Sequence, residues 1–342
     1  MGWLMAKTVR MADIAEKLGV SVVTVSKALS GKDGVGSELR SNIIRIAEEM
    51  GYCGRISKAS ASDSHLIGIL NSYLYLQKGS SFYWSLYERL ITHLSERGDL
   101  GVLEVVSDDD AKYLNPPRIV MNKKVDGIIA MGPFHEDYLK MLSSLNVPMV
   151  VLDSFNARHT YDSVISDGYY GMYTMTDYLI SCGHRKIMFV GTVGETSSIT
   201  DRYYGYCRAM LEAGIKVTDD MVIPDRNDIG KIELRLPEDL KKRATALVCN
   251  CDFTAYEAQK QLDKMGISVP DDISIVGFDN YILSEVSNVK ITTYEVNQDG
   301  MAKASVQQIS ERIADPFKPR DIRVVSGKTL LRDSVKKLNN VK

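Results

Sequence analysis

Much of what commonly marks a protein's chemistry is missing from this chain. Its 342 residues include only five cysteines, Cys53, Cys182, Cys207, Cys249 and Cys251. The number is odd and no CxxC pair occurs, which argues against a disulfide framework or a structural zinc and for a reducing cytoplasm. No apolar run approaches about 18 residues, so no membrane span is expected. The opening MGWLMAK is too short for a signal peptide. The five histidines, His65, His93, His135, His159 and His184, show no HExxH or paired spacing, and His184 in the turn GHRK reads as structural. There is no G-x-S-x-G elbow. The glycines of GKDGVGSEL follow a helical pattern rather than a strand, so they form no dinucleotide fingerprint. Asp108-Asp109-Asp110 lacks the spacing of a calcium loop and reads as a solvated loop. The tail KKLNNVK has no heptads, which argues against a coiled-coil tetramer. No cofactor, metal or catalytic residue is assigned.

A strong charge of one sign is also absent, since the formal net charge is −2. That argues against a protein that coats nucleic acid throughout. The distribution is uneven: residues 1–62 carry nine Lys/Arg against six Asp/Glu, and the remainder carries 33 against 38. A mildly basic head on an acidic body fits a DNA-reading module joined to something else. With 44% apolar and 25% charged residues the chain folds, and its length calls for two or three domains.

What is present begins with VRMADIAEKLGVSVVTVSKALSG. Ile14, Ala15 and Leu18 share one face of a first helix. Gly19 stands where a helix end tolerates positive φ. Ser21 is placed to cap a second helix, whose buried face is Val25, Ala28 and Leu29. Two short helices around a three-residue turn have helix-turn-helix dimensions. In that motif the second helix enters the major groove by its N-terminal end. Val22, Val23 and Lys27 are left facing outward. Methyl groups there suit thymine methyls, and a lysine suits a guanine edge or a phosphate. A third helix is expected from Ser37 to Met50, with Leu39, Ile43, Ile46, Ala47 and Met50 inward. Spacing alone leaves open a three-helix bundle that touches no nucleic acid.

The run DIAEKLGVSVVTVSKALSG closely resembles the N-terminal signature of the lactose/galactose-repressor (LacI-type) transcription factors. Asp13, Ile14, Ala15, Gly19, Val20, Ser21, Thr24, Val25, Ser26 and Leu29 carry the match. The resemblance implies that Val22, Val23 and Lys27 read bases, while Ser21, Thr24 and Ser26 hold the backbone. Arg10 is counted with the DNA-binding residues. The segment CGRISKASASDS is a composition break that reads as a linker. Where the family has a hinge proline and a leucine that wedges into the minor groove, this chain has Gly54 and Ala61. Arg55 and Lys58 remain as phosphate contacts.

From Leu66 the pattern alternates strand and helix: LIGIL, LGVLEVV, VDGIIAM, VPMVVLD, KIMFVG, TALVCN and ISIVGFD, with helices between. Such alternation means parallel sheets with helices on both faces and ligands beyond the C-terminal strand ends. Here too the chain is similar to the family, in VDGIIAMG, VPMVVLD, DGYYGMY, GHRKIMFVG, DRYYGY, ISVPDDISIVGFDN and ITTYEVN. The resemblance implies an effector domain of two periplasmic-binding-protein-like lobes with ligand between them. The expected organisation is a helical DNA-binding domain over 1–52, a linker over 53–65 and an α/β effector and dimerisation domain over 66–342. Its lobe 1 takes about 66–165 and 295–325, and its lobe 2 about 166–294 and 326–342.

Arg202 matches the arginine that family members direct into the cleft, and its fork suits vicinal hydroxyls or a carboxylate. It is expected at a helix start, where a cation opposes the helix dipole. Asp279 ends ISIVGFD and Asp153 ends VVLD, both placed to accept from hydroxyls. Phe82 and Tyr83 match an aromatic pair after the first strand and offer ring faces to a ligand. Asn250 and Asp252, in a shifted order, stand for the polar pair after TALVCN. Tyr73 joins the effector-binding set, with Tyr75, Ser197 and Ser198 as further cleft positions. Val296 stands where some members have a polar contact. The reading is a sequence-specific regulator, a repressor by family analogy, working as a homodimer on operator DNA under control of a small molecule, a sugar by preference. Rival classes are a solute-binding protein and a sugar-modifying α/β enzyme.

Overall fold

A computed structural model describes residues 11–29, 34–50, 64–73, 82–122, 124–155, 161–228, 230–280 and 289–338. Arg10, Gly54, Arg55, Lys58, Ala61 and Tyr75 lie outside them. The chain divides into two compact units, Met1–Ser64 and His65–Lys342.

In the first unit α1 (Met11–Leu18), α2 (Val22–Leu29) and α3 (Ser37–Glu49) close on a small apolar core. Ile14 and Ala15 from α1, Val25, Ala28 and Leu29 from α2, and Ile43, Ile46 and Ala47 from α3 are its buried members. The turn is made by Gly19 at φ 63°. With it in the left-handed region, Val20 N donates to Ala15 O at 3.0 Å and closes the end of α1. Ser21 Oγ accepts from Thr24 N at 3.0 Å, satisfying one free donor at the start of α2. Leu39, expected inside, is 38% exposed. The two eight-residue helices cover the later turns of α3, where Ile43, Ile46 and Ala47 fall, and leave its first turn in solvent.

The second unit holds two six-stranded sheets of matching order. Lobe 1 runs β11-β5-β4-β3-β1-β2, from β1 (Leu66–Ser72), β2 (Leu100–Val106), β3 (Gly127–Met131), β4 (Met149–Leu152), β5 (Asp162–Ser166) and β11 (Ile322–Val325). Lobe 2 runs β12-β10-β9-β8-β6-β7, from β6 (Ile187–Val190), β7 (Val222–Ile223), β8 (Ala246–Cys249), β9 (Ser274–Asp279), β10 (Thr292–Glu295) and β12 (Lys328–Leu330). Neighbours are parallel except β10 and β12. The chain passes between the sheets after β5, after β10 and after β11.

Period-two burial explains the layers. On β1, Ile67 and Ile69 face α4 (Phe82–Glu96) and α12 (Gln298–Ala314), while Leu70 faces α7 (Glu136–Ser144). Leu86, Leu90 and Leu94, four residues apart on α4, are each 0% exposed. Burying such a side chain contributes about 1.5–3 kcal/mol. In lobe 2, Phe189 and Val248 face α8 (Gly168–Ser181) and α9 (Ser197–Glu212). Val190, Leu247 and Cys249 face the other layer, built on α11 (Asp252–Lys264).

Two details differ from expectation. Helix α9 starts at Ser197, with Thr196 Oγ1 accepting from Ile199 N at 3.1 Å, so Arg202 sits in the second turn and its quarrel with the dipole falls away. Asp108–Asp110 are the first turn of the short α5 (Asp108–Lys112), capped by Ser107, rather than loop. His184 is buried, with Nδ1 3.0 Å from Thr245 Oγ1 and Nε2 3.0 Å from Lys336 O. Among the described residues no helix is long and apolar enough to cross a membrane.

Candidate functional site

Strands β4 and β9 hold the same place in the two sheets, and each delivers an aspartate at its C-terminal end: Asp153 after β4 and Asp279 ending β9. Both have positive φ, 65° and 103°, and Asn280 follows at 53°. Non-glycine residues held there cost about 1–3 kcal/mol each, a strain that clusters at ligand sites. In each lobe the helix after the first strand supplies the aspartate's partner. From α4 the Tyr83 hydroxyl donates to Asp153 Oδ2 at 2.8 Å. From α9 Arg202 Nη2 donates to Asp279 Oδ1 at 3.0 Å and Nη1 to the Asn250 carbonyl at 2.8 Å.

Arg202 is 5% exposed, and its guanidinium lies 3.9 Å above the Phe278 ring. Phe278 stacks in turn on Tyr294, with ring centroids 5.0 Å apart. Tyr294 accepts from Gly327 N at 2.8 Å, tying the column to the last crossing between sheets. The Nε of Arg202 has no hydrogen-bond partner among the described residues. A buried donor left so is a place where a ligand or water completes the pairing.

Burial dominates the electrostatics. It pushes the Asp279 carboxyl up to about 6, with Asp153 adding to the rise and Arg202 and Arg226 opposing it. Burial likewise raises Asp153, against the pull of Arg202 and the Tyr83 hydrogen bond. Asp201, beside Arg202, is pushed up to about 6 by burial, opposed by Arg202 and reinforced by Asp167. Beyond Asp279 a cavity of about 750 Å³ opens, lined by Trp84, Glu88 and Arg89 of α4, Gln298 and Asp299 of α12, and Lys328. Asn280, Glu295 and Val296 also line it. Asn280 Nδ2 donates to Glu295 Oε1 at 2.7 Å, and Arg332 Nη2 donates to Asn280 Oδ1 at 2.7 Å.

Of the residues expected to grip a ligand, Tyr83, Asp153, Arg202 and Asp279 are brought together. Phe82 packs edge-on to Tyr83, centroids 5.2 Å apart. Tyr73 lies just past β1 and is exposed. Asn250 and Asp252 take other work. The Asn250 amide donates to Asp225 Oδ2 at 2.6 Å and to Val190 O at 3.1 Å, so only its carbonyl reaches Arg202. Asp252 is fully buried and accepts from Thr293 Oγ1 at 2.7 Å, and a Cβ at Gly277 would stand 2.0 Å from its Oδ1. Its carboxylate therefore fastens α11 to β9 and β10.

Sequence reasoning missed Asp225, Phe278 and the cavity lining other than Asp279 and Val296. Asp225 accepts from Thr192 N and Oγ1, Asn250, Thr254 and Arg226, and so holds the ends of β6 and β8 that support Arg202. It sits in MVIPDRND, which carries no strand-end signal. Phe278 was legible as the alternate residue of ISIVGFD.

On the first unit, Val22 and Val23 are 47% and 64% exposed, and Ser21, Ser26 and Lys27 are exposed beside them. Thr24 is half-buried, its hydroxyl 2.8 Å from Ser21 Oγ. Exposed β-branched residues opening a helix favour neither helix stability nor solubility.

A helix-turn-helix with an exposed apolar-and-basic second helix, on a chain whose remainder is two parallel-sheet lobes around a polar cleft, defines a ligand-responsive DNA-binding regulator. The profile of bacterial regulatory proteins of the lacI family matches residues 10–54, and that of the periplasmic binding protein-like domain matches 176–335. The HTH-type transcriptional regulator RegA of Clostridium saccharobutylicum is 30% identical over 288 residues, covering 82% of this chain and 85% of its own. The HTH-type transcriptional repressor PurR of Vibrio campbellii is 27% identical over 333 residues, covering 96% and 98%. Among solved structures, the complex of the transcriptional regulator CelR with cellobiose shares the fold, with TM-score 0.66 at 21% identity, covering 95% of this chain and 99% of that one. The chain belongs to the lacI family of bacterial transcription regulators.

Proposed function

We propose that the chain is a cytoplasmic repressor that binds operator DNA as a homodimer and is controlled by a carbohydrate held between its lobes. The observation that carries the effector half is Arg202, fixed by Asp279 and the Asn250 carbonyl on lobe 2 and acting electrostatically on Asp153 of lobe 1. A fork of donors between two carboxylates, beside the rings of Tyr83 and Phe82, suits a molecule dense in hydroxyls. In this reading Tyr83, Asp153, Arg202 and Asp279 contact the ligand directly, and Asn250 and Asp252 shape the wall. Val22, Val23 and Lys27 read bases, Ser21, Thr24 and Ser26 hold phosphates, and Arg10, Arg55 and Lys58 add charge contacts. Ligand binding across the lobes changes the spacing of two recognition helices on a palindromic site. A coupling of about 1–3 kcal/mol is sufficient to shift DNA affinity by one to two decades.

The experiment selects DNA with the purified protein from a random duplex pool, then measures affinity for the enriched sequence with and without a panel of sugars. Enrichment of a palindrome and a sugar-dependent affinity are expected. Affinity indifferent to every sugar would remove the switch while leaving the DNA-binding role.

A further inference from the structure

Asp279 belongs to two settings at once. Its Oδ1 accepts from Arg202, and the same residue lines the cavity of about 750 Å³. Its side chain is 15% exposed, and Oδ2 accepts no hydrogen bond among the described residues. The cavity therefore opens from the residue that already holds the arginine. On the lobe 1 side it is walled by Trp84, Ser85, Glu88 and Arg89, which share one face of α4. Leu86, Leu90 and Leu94 turn the other way, into the core. Trp84 is 44% exposed, and Tyr87 props its ring at a centroid distance of 5.4 Å. An indole left half in water at the wall of a polar cavity is placed to stack on the C–H face of a sugar ring.

The charges on the rest of the wall are largely matched. Lys328 meets Glu295 at 2.8 Å and Arg89 meets Asp299 at 4.0 Å. Ser85 Oγ donates to Gln298 Oε1 at 2.8 Å, while Gln298 Nε2 has only a 3.5 Å contact with the Phe82 carbonyl. Such a wall offers donors and acceptors with little net field, which suits a neutral polyhydroxylated chain. Ligand cavities run from about 300 to 1,000 Å³, and a single sugar ring of about a dozen heavy atoms needs only the low end. Resting on the carbohydrate reading above, we propose that the effector is an oligosaccharide of at least two rings. One ring is held at Asp279, and the next lies along the cavity with a face on Trp84 and a hydroxyl on the Gln298 amide. Because Trp84 belongs to lobe 1 and Asp279 to lobe 2, the longer ligand ties the lobes together.

Length series decide the matter. Glucose with cellobiose and maltose, galactose with lactose, and xylose with xylobiose are titrated into the full-length protein by calorimetry. Displacement of the disaccharide gives the affinity of a monosaccharide too weak for direct titration. In at least one series the disaccharide is expected to bind about tenfold or more tightly than its monosaccharide. W84A should remove most of that gain and leave the monosaccharide affinity within about twofold. W84F, which keeps a ring, should retain part of the gain, and circular dichroism checks that both variants fold. Equal affinity for one ring and two in every series overturns the proposal. So does a gain that W84A leaves intact, or a W84A loss shared alike by mono- and disaccharide. Binding of monosaccharides without a gain removes this inference alone, whereas no binding in any series removes the carbohydrate reading with it.

Discussion

Arg202 and Asp279 meet at 3.0 Å inside lobe 2, and the other arm of the same guanidinium is held by the Asn250 carbonyl at 2.8 Å. The arginine is therefore aimed before any ligand arrives. Such fixed geometry lets a binding group act without losing freedom on association. It also separates two roles that the residue could have: holding the lobe and reading the ligand.

Arg202→Lys tests that separation. Lysine keeps a positive charge near Asp279 but not the fork, and it orphans the buried Asn250 carbonyl or leaves the Asp279 carboxylate without its arginine hydrogen bond. The loss of about 1–3 kcal/mol in effector binding corresponds to about five- to a hundred-and-fiftyfold. Operator affinity without effector should stay within about twofold, because the recognition helix lies in the other unit. Fluorescence anisotropy on operator DNA, with and without effector, reads both. Parallel loss of both would make Arg202 a folding residue.

The helix-turn-helix was readable because its signals are local. Gly19, Ser21 and the apolar face of Val25, Ala28 and Leu29 act within one or two turns of chain, and the structure places them as that pattern requires. The α/β alternation was equally local. Arg202 and Asp279 could be picked from motifs, yet their pairing joins residues 77 apart in sequence and no periodicity announces it. The start of α9 was misplaced for a related reason. SSIT carries little apolar pattern, and only the Thr196 cap marks the helix end. Asn250 and Asp252 stand in the right motif, but their partners, Asp225 and Thr293, lie 25 and 41 residues away and no local pattern names them. Asp225 was illegible because its five donors come from four residues, three of which, Thr192, Asn250 and Thr254, lie some 25 to 33 positions away.

Lys27→Ala separates reading from attraction on the DNA side. If Lys27 reaches a base edge, the change should weaken the selected site by about 1–3 kcal/mol and relax preference at one position. If it reaches a phosphate, all sequences should weaken alike and the salt dependence should become shallower. Competition binding at two salt concentrations distinguishes the outcomes. No change on any duplex would take Lys27 out of the interface.

Acidity offers an independent check on the cleft. Asp201 and Asp279 are both pushed up to about 6 in the folded chain, by burial first, from the ordinary value of 3.8. Arg202 opposes the rise at both, while Asp167 adds to it at Asp201 and Asp153 at Asp279. Between about pH 6 and pH 4 the native state therefore holds protons that the unfolded chain has released. Linkage then makes their contribution to stability rise as pH falls through that window, and be least favourable above it. Asp201→Asn removes one of these titrations without touching the Arg202–Asp279 bond. Urea unfolding of parent and variant across pH 4–7.5 should show the variant gaining on the parent as pH rises through about 6, on top of whatever constant offset the substitution brings. A gap that stays flat across the window, or runs the other way, would mean that the Asp201 carboxylate is solvated in the folded protein and that this edge of the cleft is open to water.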